Sequence, residues 1–138
     1  YNVPYGHYKK TPAMMTSSEL VRIHQLIQDV KFVCSSFHES LSKVSKKDFI
    51  YLDPPYVPEN PQSFVKYTVD GFNLETHLEL FKKLNELHQK KIKLVLSNSN
   101  VELVLKIFKK FSIEHLQARR SINSKKPGST TTEVLIYN

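Results

Sequence analysis

The apolar run Phe49-Ile50-Tyr51-Leu52 stops abruptly at Asp53-Pro54-Pro55. Four consecutive apolar residues are too few for an amphipathic helix, and two prolines have no N–H to donate to a sheet ladder. The run therefore reads as a buried parallel strand at the point where it leaves its sheet. A second run of this kind, Ile92 to Leu96, stops at Ser97-Asn98. Between them Asn73 is placed to cap a helix reaching about Gln89, with Leu74, Leu78, Phe81, Leu84 and Leu87 at helical spacing on one face. Strand, helix and strand in that order form the repeating unit of an α/β sheet.

The rest of the chain extends the pattern. Thr16 and Glu19 have the spacing of a capping box, and Leu20, Ile23, Leu26, Ile27 and Val30 then carry a helix from about Ser17 to Val30. Residues 31–37 (KFVCSSF) read as a short strand with Cys34 as a small core residue, and residues 38–47 as a turn or brief helix. Val101 to Phe111 repeats the helical period through Val104, Leu105 and Phe108. Strands are predicted from about Ile113 to Ala118 and from Glu133 to Tyr137. The polar loop between them leaves no room for a crossover helix, so this pair forms an antiparallel hairpin. The predicted fold is α/β: a mainly parallel sheet with a C-terminal antiparallel hairpin at its edge. A length of 138 residues with 40% hydrophobic content suits one compact domain.

Composition narrows the class of function. No run approaches the roughly 18 apolar residues of a membrane span, and the N-terminus shows no secretory pattern. Tyr1 stands where an initiating Met would be, so the chain is read as beginning mid-protein. Cys34, the single cysteine, can form no disulfide within the chain, and the six histidines show neither an H-E-x-x-H pair nor cysteines at zinc spacing. No metal is expected. A net charge of +7 favours a polyanionic partner, although it is carried by lysine, with only Arg22, Arg119 and Arg120 as arginines. The opening YNVPYGHYKKTP, rich in Tyr, Pro, Gly and Lys, suits a loop that turns, stacks and contacts phosphate.

The tetrapeptide Asp53-Pro54-Pro55-Tyr56 stands at the carboxyl end of a buried strand, where open α/β sheets bind ligands. Its chemistry suits an aryl amine, a poor nucleophile because its lone pair is delocalised into the ring. A carboxylate (Asp53) and a backbone carbonyl (Pro54) can each accept one hydrogen bond from the amino group. That favours the tetrahedral nitrogen that develops as it attacks a methyl sulfonium. Two prolines restrict the backbone around that carbonyl, and Tyr56 offers a flat face for an extruded base, a contact worth about 1–3 kcal/mol. The competing structural explanation is a strand end with a capped turn and a surface tyrosine.

These residues resemble the Dam-type DNA adenine methyltransferases. Residues 1–10 (YNVPYGHYKK) are similar to the segment where the family's target-recognition region rejoins its catalytic domain. FIYLDPPY is similar to the catalytic strand and motif, LVLSNS to the next strand, and ARRSINS with TEVLIYN to the C-terminal hairpin. The resemblance implies a partial Rossmann-like fold dependent on S-adenosylmethionine, with residues 1–15 ending the recognition region and 16–138 forming the C-terminal part of the catalytic domain. It implies that Asp53, Pro54 and Tyr56 bind a flipped adenine, with Pro55 shaping the turn. Asn2, Pro4, Tyr5, Gly6, Tyr8 and Lys9 are then expected at or near double-stranded DNA, as are Arg119, Arg120, Ser121 and Asn123. Phe64 and Tyr67 are expected over the base pocket, and Phe72 in the core. The implied setting is the cytoplasm, at the nucleoid.

Two departures from the family pattern bear on activity. Family members cradle the cofactor in an F-x-G-x-G loop, whereas Gly6, Gly71 and Gly128 are the only glycines here and no two are close. Where the family often has an acidic-aromatic pair beside the cofactor, this chain has Ser36-Phe37, so Ser36, Phe37 and Asp53 are the candidates for cofactor contact. The expected function is adenine methyl transfer by a chain with little activity alone. It would associate with a missing N-terminal half, or with itself through an exposed sheet edge. The alternatives are a catalytically silent nucleic-acid-binding remnant, or an RNA or protein methyltransferase. Relatives of the last kind commonly begin the clamp with Asn, so Asp53 argues for DNA.

Overall fold

The computed structural model describes residues 14–59, 72–119 and 130–138, and the chain divides into two compact units, residues 1–35 and 36–138. In the first, helix α1 spans Ser17–Leu26 and begins with the predicted capping box. The Thr16 hydroxyl accepts from the Glu19 N–H at 3.3 Å, and the Glu19 carboxylate accepts from the Thr16 N–H at 2.7 Å. The Thr16 N–H foremost, and the Thr16 hydroxyl donating to the same carboxylate at 2.8 Å, hold the Glu19 carboxyl below the usual carboxylate range. The helix ends at Leu26, four residues short of the predicted Val30.

Residues 31–36 correct the predicted strand: they have no regular structure. Strand propensity in KFVCSSF is not enough without a neighbour to complete its ladder, and none of the described strands pairs with it. Cys34 is exposed, not the core residue its small apolar side chain suggested.

The second unit holds α2 (Phe37–Ser42), β1 (Phe49–Leu52), α3 (Leu74–Gln89), β2 (Lys93–Ser99), α4 (Glu102–Ile107), β3 (Ser112–Arg119) and β4 (Thr130–Tyr137). The strands form one sheet in the order β1-β2-β4-β3. β1 and β2 are parallel, as the helix between them requires, with Leu52 beside Leu96. β1 is not the buried strand its apolar run predicted: it is an edge of the described sheet, with Phe49 and Tyr51 exposed and Ile50 and Leu52 half-buried. β4 lies antiparallel to both β2 and β3. Among the described strands β1, β2 and β3 therefore share one direction and β4 alone opposes them, in keeping with the predicted mainly parallel sheet with a C-terminal antiparallel hairpin. β4 returns through that hairpin and inserts between β3 and β2.

One face of the sheet is covered. Leu94, Leu96, Val134 and Ile136 from the strands pack with Leu80, Phe81 and Leu84 of α3 and with Val104 and Phe108, each at most 2% exposed. The buried face of α3 is rotated from the predicted one. His77 is buried at 1%, whereas Leu74 and Leu78 are 42% exposed each. α3 closes with Ile92 N–H bonded to Leu87 O at 3.1 Å and Lys91 N–H to His88 O at 2.9 Å. This is a Schellman arrangement with Lys91 at φ 59°.

Candidate active site

β1 delivers Asp53 to the end of the sheet, and the parallel register of Leu52 with Leu96 brings Ser97 alongside it. Strand alternation puts Ser97, with Val95, on the opposite side of β2 from buried Leu94 and Leu96. The Ser97 hydroxyl donates to one carboxylate oxygen of Asp53 at 2.7 Å and lies 3.3 Å from the Leu52 carbonyl. Asp53 is exposed and makes no ion pair among the described residues. Neither its second oxygen nor the Pro54 carbonyl has a hydrogen-bond partner among them.

Asp53, Pro54, Pro55, Tyr56 and Glu133 line a cleft of about 490 Å³. Glu133 enters from β4, whose antiparallel register sets it opposite Ser99. The Tyr56 hydroxyl donates to its carboxylate at 3.3 Å. Partial burial pushes the Tyr56 phenol above its usual value. The negative charges of Glu133 and Asp53 add to this, while hydrogen bonding with Ser97 opposes it.

Three main-chain groups of the loop, at Pro55 and Val57, are tied to α3 and β2. The Pro55 carbonyl faces His77 Nε2 of α3 at 2.9 Å. The Val57 N–H donates to Asn98 Oδ1 at 3.0 Å, and the Val57 carbonyl accepts from the Ser99 hydroxyl. Asn98 is fully buried, and its Nδ2 has no partner among the described residues. Sequence reading stopped β2 at the polar Ser97-Asn98. The strand runs on through Ser99, and those three side chains each hydrogen-bond to the Asp53–Val57 segment. A polar triplet continuing an apolar strand is the signal that marks them, since buried polar groups need partners.

The four residues of the tetrapeptide are thus brought together around one cleft. Ser36 and Phe37 do not line it. Ser36 caps α2, its hydroxyl accepting the Glu39 N–H at 3.2 Å, and the Phe37 ring packs at 3.9 Å from the His38 ring and 6.2 Å from Phe72. Phe72 packs against the core, as read from the sequence. Asn2, Pro4, Tyr5, Gly6, Tyr8, Lys9, Phe64, Tyr67, Arg120, Ser121 and Asn123 lie outside the described residues, as does the side chain of Arg119. No described helix is long and apolar enough to cross a membrane.

A family model for D12 class N6 adenine-specific DNA methyltransferases matches residues 1–122. The chain is similar to type II methyltransferase M.MjaIII of Methanocaldococcus jannaschii, at 37% identity over 142 residues, covering 100% of this chain and 49% of that protein. It is similar to type II methyltransferase M1.LlaDCHI of Lactococcus lactis subsp. cremoris, at 30% identity over 100% of this chain and 50% of the relative. A DNA adenine methylase of Escherichia coli K12 matches at 29% identity, over 97% of this chain and 47% of its own length. The chain spans about half the length of the curated relatives it matches. With an acidic, proline-locked strand end at the cleft and a family match over most of its length, the chain belongs to the D12 class N6 adenine-specific DNA methyltransferases.

Proposed function

We propose that this chain supplies the base-clamping part of a site-specific DNA adenine methyltransferase. One observation carries the reading. Asp53 and Pro54 line one cleft beside Tyr56, and neither the second Asp53 carboxylate oxygen nor the Pro54 carbonyl has a partner among the described residues. Two acceptors and a flat ring are what an extruded adenine amino group needs. Asp53 and the Pro54 carbonyl each accept one amino hydrogen, which draws the nitrogen lone pair out of the ring. Tyr56 holds the base by stacking, and Pro55 shapes the turn.

S-adenosylmethionine, when bound, supplies an electrophilic methyl group. The carboxylates of Asp53 and Glu133 give the cleft an acidic wall that suits a sulfonium charge, so the donor set fits the reactive end of that cofactor. Ser36 and Phe37 are proposed to contact its remainder. Gly6, Gly71 and Gly128, the only glycines of this chain, are too far apart in sequence to form an F-x-G-x-G loop. Residues 16–138 are read as the C-terminal part of a Rossmann-like catalytic domain, and residues 1–15 as the end of a recognition region. Asn2, Pro4, Tyr5, Gly6, Tyr8, Lys9, Arg119, Arg120, Ser121 and Asn123 are proposed to meet double-stranded DNA, in the cytoplasm at the nucleoid. No described strand pairs with the outer edge of β1, and Phe49 and Tyr51 beside it are 66% and 61% exposed. That edge is where a further segment or a second copy would add.

The test is transfer of labelled methyl from S-adenosylmethionine to duplex DNA, with nucleoside analysis for N6-methyladenine. The full-length protein is expected to make that product, and the 138-residue chain alone to make little. A labelled product other than N6-methyladenine would overturn the reading.

A further inference from the structure

Tyr56 lies between two peptide groups, each tied to a different element. The group that follows it is held through the Val57 N–H, which donates to Asn98 Oδ1 on β2 at 3.0 Å. The group that precedes it carries the Pro55 carbonyl, 2.9 Å from His77 Nε2 on α3. Proline rings fix φ at Pro54 and Pro55, so ψ of Pro55 is the torsion that aims this carbonyl and, with it, the start of Tyr56. A donor on the Pro55 oxygen takes that freedom away.

His77 is built for the task. It is 1% exposed, in the first turns of α3, and its ring stands edge-on to Phe72 at 4.6 Å and to Phe81 at 5.9 Å. Its Nδ1 lies 2.8 Å from the Asn73 carbonyl, which already accepts the His77 main-chain N–H at 3.1 Å. Both facing oxygens are main-chain carbonyls, which only accept. A neutral imidazole has one N–H, which can face only one of the two carbonyls. The Asn73 carbonyl already accepts a main-chain N–H and the Pro55 carbonyl has no other donor among the described residues, so the proton is assigned to Nε2. A histidine among the apolar positions of a helix commonly only fills space. Here the ring spans two elements and ends on the one loop that carries the tetrapeptide.

We infer that His77 is a positioning residue. Through Nε2–H it holds the Pro55 carbonyl, so that the Tyr56 ring is in place before a base arrives. The inference deepens the base-clamping reading and rests on it for its kinetic part only.

The test compares His77→Gln with His77→Met, side chains of similar reach of which only the Gln amide can donate a hydrogen bond. The chain contains no tryptophan, so Tyr56→Trp provides a single reporter whose time-resolved anisotropy measures the freedom of the ring. The Trp reporter is expected to be held in the parent and in His77→Gln and loose in His77→Met. In the full-length protein, His77→Met is expected to lower kcat about ten-fold or more with KM for DNA within about three-fold, and His77→Gln to restore most of it. Gln and Met variants that behave alike, whether both intact or both impaired, overturn the inference, as does a reporter already loose with His77 present. If His77→Met does not melt cooperatively, the Gln variant decides alone: a held reporter supports the role and a loose one refutes it. If the parent transfers no methyl to adenine, the base-clamping reading fails while the anisotropy still decides on His77.

Discussion

The Ser97 hydroxyl donates to one oxygen of the Asp53 carboxylate at 2.7 Å, across two strands whose parallel register makes them neighbours. One oxygen is thereby occupied and the carboxylate plane is fixed, leaving the other oxygen for a ligand. Ser97→Ala removes the constraint without opening a large cavity. The variant is expected to lose about ten-fold in kcat for methyl transfer. Its stability to urea should fall by less than about 1 kcal/mol, because water can replace the hydroxyl at an exposed carboxylate. Unchanged kcat would show that the orientation of Asp53 does not depend on Ser97.

The pair Tyr56 and Glu133 gives a prediction in pH. Burial first, then the Glu133 and Asp53 charges, raise the Tyr56 phenol above its ordinary value near 10. A folded-state value above the unfolded one favours the protonated fold. This contribution is whole below pH about 10 and is lost as pH rises through the raised value. The ultraviolet difference titration between the protein and Tyr56→Phe should therefore show Tyr56 ionising above the ordinary phenol range. Glu133→Gln should bring it down, since it removes the repelling charge and leaves only a neutral, weaker acceptor for the phenol proton.

Lys91 takes a left-handed conformation, φ 59°, to close the end of α3. A side chain there costs about 1–2 kcal/mol, offset in part by the greater freedom glycine has when unfolded. Lys91→Gly is expected to raise the urea midpoint by an amount equivalent to about 0.5–1 kcal/mol, with an unchanged denaturant slope. A lower midpoint would contradict the Schellman description of this helix end.

What could be read from the sequence was local. The run Phe49 to Leu52 ending at Asp53, the Asn73 cap with the Thr76 N–H on its side chain at 2.9 Å, and the Thr16–Glu19 box each rest on neighbouring residues. What escaped depends on partners far along the chain. Glu133 meets Tyr56 only through the register of β4 on β2, across 77 residues. His77 was hidden because Leu74 and Leu78 mark out an equally good helical face. Contact with the sheet and with Pro55 chose the face that includes the histidine. Residues 31–36 show the converse, β-prone side chains with no described strand to pair with.

The central claim is that Asp53 acts on the amino group of the base and not in holding the duplex. The direct measurement is Asp53→Ala in the full-length protein, with adenine methylation and duplex DNA affinity followed at the same salt concentration. Methyl transfer is predicted to fall about a hundred-fold or more while the dissociation constant for DNA stays within about three-fold. A variant that methylates adenine at close to the parent rate would contradict the account.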